Sequence, residues 1–139
     1  MAGSLSDAME IELLKQLTGQ TTSIYTTTPI VPYVALFTVT PTDAAASGTE
    51  ATGGGYARIV TTGKWAVPAA GSVANNATIT FASFSGSVSA GAAFVAFGLF
   101  TAVTAGTMLA WGALTDVTKT GSSGDTVSFA AGALVITAD

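Results

Sequence analysis

The chain has 139 residues, of which 49% are hydrophobic and only 9% charged, with a net charge of −4 and neither cysteine nor histidine. That length fits one domain with a real core, and 4 basic residues are too few to neutralise a nucleic-acid backbone. The missing residue types exclude disulfides, thiolate or imidazole metal sites, and Ser/His or Cys/His nucleophile pairs within one chain.

Soluble domains usually carry roughly 25% charged residues. A surface this poor in charge must be covered by Thr, Ser, Gly and Ala or buried against partners, so a homo-oligomer is expected, with a trimer as its form.

Ser4 to Gly19 reads as a helix. Ser4 or Ser6 can cap its start, Asp7 and Glu10 suit the positive end of its dipole, and Gly19 stands where a left-handed residue ends it. Leu5, Met9, Leu13 and Leu17 recur at every fourth position with Leu14 beside them, opposite Glu12, Lys15 and Gln16. Such a stripe needs a cover, either the chain's own sheet or a neighbouring subunit. The neutral, Thr-rich stretch from Thr21 to Thr28 would let the helix reach outward, so an oligomer or shell contact is expected at Leu5, Met9, Leu13 and Leu17. On this reading residues 1–28 form an N-terminal arm and residues 29–139 a β-domain.

Pro29 and Pro32 bracket Ile30-Val31, giving extended chain that lacks ladder donors. From Tyr33 to Thr40 both alternating faces are mainly apolar, which predicts a strand covered on both sides. A Pro41-Thr42-Asp43 turn and a small-residue loop then lead through Gly53-Gly54-Gly55 into a return strand, making a β-arch. Three consecutive glycines predict a bulge or a crossing; a phosphate loop would need Lys-Ser/Thr and a helix to follow. Glu50 and Arg58 flank them with opposite charge, predicting an ion pair that pins the arch, with a partner contact as the alternative. A carboxylate pair from Asp43 and Glu50, for glycoside hydrolysis or calcium, lacks the supporting polar residues and loop spacing of such sites.

Further strands are predicted at Arg58 to Val67, Val73 to Phe81, Phe94 to Phe100, Met108 to Leu114, Thr126 to Phe129 and Leu134 to Thr137, separated by Gly- and Ser-containing turns. About seven strands behind one helix suggest an antiparallel β-sandwich. Trp65 and Trp111 read as core or interface anchors; a sugar-stacking role would require exposed rings. No charge occurs between Lys64 and Asp116, but Pro68, Asn75-Asn76 and glycines break that interval, and its most apolar piece, Ala92 to Val103, is shorter than the roughly 20 residues of a spanning helix. No membrane partner is expected, and Met1-Ala2-Gly3-Ser4 does not open a secretory signal.

Leu5-Ser6-Asp7-Ala8, Tyr33-Val34-Ala35-Leu36-Phe37-Thr38 with Pro41-Thr42-Asp43, Gly48-Thr49-Glu50 through Gly53-Gly54-Gly55-Tyr56-Ala57-Arg58, Phe97-Gly98-Leu99-Phe100, Trp111-Gly112-Ala113-Leu114 and Gly124-Asp125-Thr126-Val127-Ser128-Phe129-Ala130-Ala131-Gly132 together carry a resemblance. The chain resembles a family of small tailed-bacteriophage structural proteins, labelled tail-fibre-like or virion proteins. The resemblance implies a virion component that is not an enzyme, with no catalytic residues and no cofactor. Its expected partners are copies of itself and other virion proteins such as major capsid or tail proteins. The leading expectation is a capsid decoration (cement) subunit on the particle exterior. The alternatives are a tail-fibre or tail-appendage subunit and a carbohydrate-binding module for host attachment.

Overall fold

The computed structural model describes residues 6–22, 29–42 and 48–138, with the side chains of residues 7–9 left aside. Helix α1 (Asp7–Leu17) begins at an extended Ser6, whose carbonyl accepts from the Glu10 amide at 3.0 Å. It ends as expected at Gly19, in the left-handed region at φ 72°. There the Gln20 amide returns to the Lys15 carbonyl at 2.8 Å and closes the last turn. Leu14 anchors the helix in the main core at 1% exposure, and the Gln20 side chain donates to the Ala66 carbonyl at 2.8 Å. Glu12, assigned by its spacing to the polar face, is instead 5% exposed. Its carboxylate is tolerated there because Lys15 meets it at 2.8 Å.

Strand β1 (Tyr33–Val39) is the centre of the larger sheet. Along one edge it pairs with β6 (Ala96–Phe100), which pairs in turn with β7 (Met108–Ala113). The short strands β2 (Thr49–Glu50) and β3 (Ile59–Val60), both supplied by the arch, share its other edge in tandem. All these pairings are antiparallel. Both faces of β1 are covered, because both rows of its side chains are apolar. Val34 and Leu36 enter the main core, while Ala35 and Phe37 join Ala96 and Phe100 in a second cluster on the opposite face. The Phe37 and Phe100 rings stack with centroids 6.2 Å apart. Gly98 is the floor beneath them, since a Cβ there would lie 2.8 Å from the Phe37 ring.

The rest of the chain is a long antiparallel ribbon. Strand β4 (Ser72–Ala74) pairs with β9 (Val135–Thr137), and β5 (Ile79–Thr80) pairs with β8 (Ser128–Phe129). Val88 and Gly121, then Val95 and Leu114, carry backbone bonding on towards β6 and β7. The two arms keep pace. As many residues separate Ser72 from Ala96 as separate their partners Thr137 and Ala113.

Between β4 and β5 the ladder is held by a side chain, that of Asn75, buried at 2% exposure. Its amide nitrogen donates to the carbonyls of Ala77 at 2.9 Å and Ala130 at 2.8 Å. Its amide oxygen accepts from the Leu134 backbone at 2.9 Å. A buried polar side chain survives here because the groups it desolvates are matched.

The protein is thus mainly β, with nine described strands in antiparallel sheets behind a single described α-helix. The main core gathers Val34, Leu36, Phe97 and Leu99 from the large sheet with Val73, Ile79, Phe129 and Ile136 from the ribbon, consistent with a sandwich. The run read as one strand from Val73 to Phe81 splits at Asn75, and the arch adds β2. No described helix is long and apolar enough to cross a membrane.

Candidate functional site

Two surfaces gather the residues that the sequence singled out: the arch beside the β6–β7 hairpin, and a groove beside α1. Among the described residues no three His, Cys, Asp or Glu side chains come together to hold a metal ion. Asp43 lies outside the described residues, so the pair it would form with Glu50 lies outside them too.

The glycine run is where the arch crosses the segment leading to β6. A Cβ on Gly54 would sit 2.6 Å from the Gly86 carbonyl oxygen, and the Ser85 amide donates to the Gly54 carbonyl at 2.8 Å. Nearby, the Ser89 amide reaches the Thr52 carbonyl at 2.7 Å. Only glycine allows two backbones this close.

Just beyond that crossing, Arg58 and Glu50 meet through two parallel bonds, Nε to Oε1 at 2.8 Å and Nη2 to Oε2 at 2.7 Å. The fork geometry suits a guanidinium facing a carboxylate. Nη1 donates to the carbonyls of Ala102 at 2.8 Å and Ala105 at 2.7 Å in the β6–β7 turn. The guanidinium carbon also lies 3.6 Å from the centre of the Phe100 ring. Tyr56 completes the set: its hydroxyl donates to Glu50 Oε1 at 3.1 Å and accepts from the Leu36 amide at 2.9 Å. Leu36 sits where β3 has ended and β2 has not begun, so the phenol stands in for a missing ladder partner. Burial, reinforced by the Glu50 carboxylate, pushes the Tyr56 phenol well above its ordinary range.

The other basic side chains are also engaged. Lys119 approaches Asp116 at 3.8 Å, Lys64 donates to the Thr78 carbonyl at 3.0 Å, and Lys15 holds Glu12. No group of cations is left converging on one place, as recognition of a phosphate chain would require.

Of the helix residues, Leu13 and Leu17 are half-buried and line a groove of about 590 Å³ whose far wall is β7 and β9. Leu5 lies outside the described residues, as does the side chain of Met9. Trp111 lines the same groove with Leu109 and Val135, and no charged side chain contributes to its walls. Trp65 is buried at 4% exposure and donates from its ring nitrogen to the Thr61 hydroxyl at 3.1 Å. Its ring is therefore closed to stacking on a sugar.

Sequence reasoning passed over Tyr56 and Asn75, and placed Leu14 on the apolar face of the helix without making it the anchor. Leu14 was visible as a second apolar residue beside the stripe. Tyr56, between Glu50 and Arg58 and directly after the glycines, could have been found as the polar group nearest the pair. Asn75 had only its place inside a strand pattern as a signal, since asparagine is depleted in strands.

None of the curated proteins matches the chain. Residues 4–137 match the model of the family described as Podophage GP4 fiber I protein gp80, a span that takes in α1, the arch, both arms of the ribbon and the groove. By that match the chain belongs to this podophage fibre protein family, a family of small tailed-phage structural proteins.

Proposed function

We propose that this chain is a non-enzymatic structural subunit of a bacteriophage tail appendage, a virion component that associates with copies of itself through the groove face. The observation that carries the self-association is the groove, whose walls carry no charged side chain and include Leu13, Leu17, Leu109 and Trp111, all only half-buried. Apolar surface of this kind is stabilised by whatever excludes water from it. A second copy suits it because the chain is itself so poor in charge that two copies meet with little electrostatic opposition. The fibre family favours a place on the tail over decoration of the capsid. Other virion proteins are further partners, and a trimer is the expected stoichiometry.

Sedimentation equilibrium tests the reading. The wild-type protein is expected to form one discrete oligomer, and Leu109→Lys to shift it to monomer while the far-ultraviolet circular dichroism stays unchanged. A wild-type protein that stays monomeric at high concentration would overturn self-association. Antibody labelling of intact particles separates the two locations, with label on the tail supporting the appendage and label over the shell supporting decoration.

A further inference from the structure

The turn joining β6 to β7 is fastened in an unusual way. At its neck the Thr101 amide donates to the Thr107 carbonyl at 3.1 Å, and the Thr107 amide returns to the Thr101 hydroxyl at 3.0 Å. Beyond the neck, among the described residues, the tip is tied to another element by Arg58, through the carbonyls of Ala102 and Ala105. Ala105 is held at φ 53°, a left-handed conformation that a side chain disfavours. Strain of this kind persists where surrounding contacts over-determine it. The contact here is one guanidinium, aimed by Glu50 from β2 and seated on Phe100. Just before the tip, the register between β6 and β7 slips so that Phe100 faces Met108. Such a bulge ends regular pairing and lets the turn move apart from the sheet behind it.

We propose that Arg58 is the catch of a releasable clasp. With Glu50 and Arg58 paired, the tip is closed and strained, and presents Val103 and Thr104 in a fixed position beside the arch. When the catch is withdrawn, residues 102–106 open while β6 and β7 stay paired. The device goes beyond the appendage reading and does not rest on it.

Backbone nitrogen-15 relaxation on the full chain decides the matter. Arg58→Met keeps a side chain over Phe100 and removes the donors, so order parameters in residues 102–106 are expected to fall below about 0.6 while residues 94–99 keep the wild-type values of about 0.85. Glu50→Gln removes the charge that aims the guanidinium and is expected to give a smaller fall in the same segment. It is the deciding variant if Arg58→Met does not fold. Wild-type order at the tip in both variants would overturn the clasp, because the neck would then suffice. Equal falls at the tip and in residues 94–99 would also overturn it, because the pair would then be holding the sheet.

Discussion

Among the described residues, two of the polar locks that tie distant segments together are built differently. Asn75 joins β4, β5 and the 130–134 turn with an uncharged amide buried at 2% exposure. The Glu50–Arg58 lock joins the arch to the β6–β7 hairpin with full charges, and lies at the rim, where the Glu50 side chain keeps 26% of its exposure and that of Arg58 8%. The difference follows from desolvation. An amide gives up little on leaving water if every hydrogen bond is replaced, whereas a carboxylate loses far more and is better left partly wet. An amide therefore suits the inside of the ribbon and an ion pair its margin.

The sharpest test of this contrast is at Asn75. Asn75→Ala strands the Leu134 amide and two carbonyls, and is expected to lower stability by about 3 kcal/mol, read from the urea midpoint. Asn75→Asp should lower it further, because the buried site has no cation to meet a carboxylate. If Asn75→Asp proved as stable as wild type, the site would have to be wetter than its burial indicates.

Next in size is the rim. Arg58→Met or Glu50→Ala alone is expected to cost roughly 2–3 kcal/mol, between the values for exposed and fully buried pairs. The double variant should lose less than the sum of the two. Strict additivity in that cycle would mean that the pair contributes nothing as a pair, and the contrast between the locks would fail.

The smallest effect is expected at Tyr56. Tyr56→Phe leaves the Leu36 amide without its acceptor and is expected to cost about 1 kcal/mol at neutral pH. It should also change the response to alkali. The unfolded chain gives up its phenolic proton near the ordinary value of 10.0, while the folded chain holds it to higher pH. The stability that Tyr56 contributes is therefore complete below pH 10 and is lost as pH rises above that. Unfolding midpoints followed above pH 10 should fall less steeply in Tyr56→Phe than in wild type, and parallel curves would remove burial of the phenol as the cause.

Much of the frame was legible because it rests on local rules. Gly19 ends α1 where a left-handed residue was expected, and the two-sided apolar pattern of Tyr33 to Val39 belongs to a strand with cores on both faces. The three glycines mark a crossing that only the missing Cβ allows. Other features depend on which distant backbone arrives beside a residue. Nothing near Asn75 announces that Ala130 and Leu134 will meet it, and nothing near Arg58 announces the carbonyls of Ala102 and Ala105. The burial of Glu12 was hidden for the same reason, because helical spacing ranks residues by face but not by what lies across from them. The groove lies between these cases: Leu13 and Leu17 could be read as an apolar face, but β7 and β9 as its opposite wall could not.

The matched arms of the ribbon restrict how the chain can change in length. Between Ala74–Val135 and Ile79–Phe129 the second arm holds one residue more than the first, and between Thr80–Ser128 and Ala96–Ala113 the first arm holds one more than the second. The two offsets cancel. A single insertion elsewhere in either arm would turn inward-facing side chains such as Ile79 or Phe129 outward along everything beyond it. Gains and losses of residues are therefore confined to compensating pairs on opposite arms, or to the 101–107 turn, where an added segment shifts no strand partner and gives up only the Arg58 bonds to Ala102 and Ala105. A peptide tag or a foreign epitope spliced into this protein belongs at that turn.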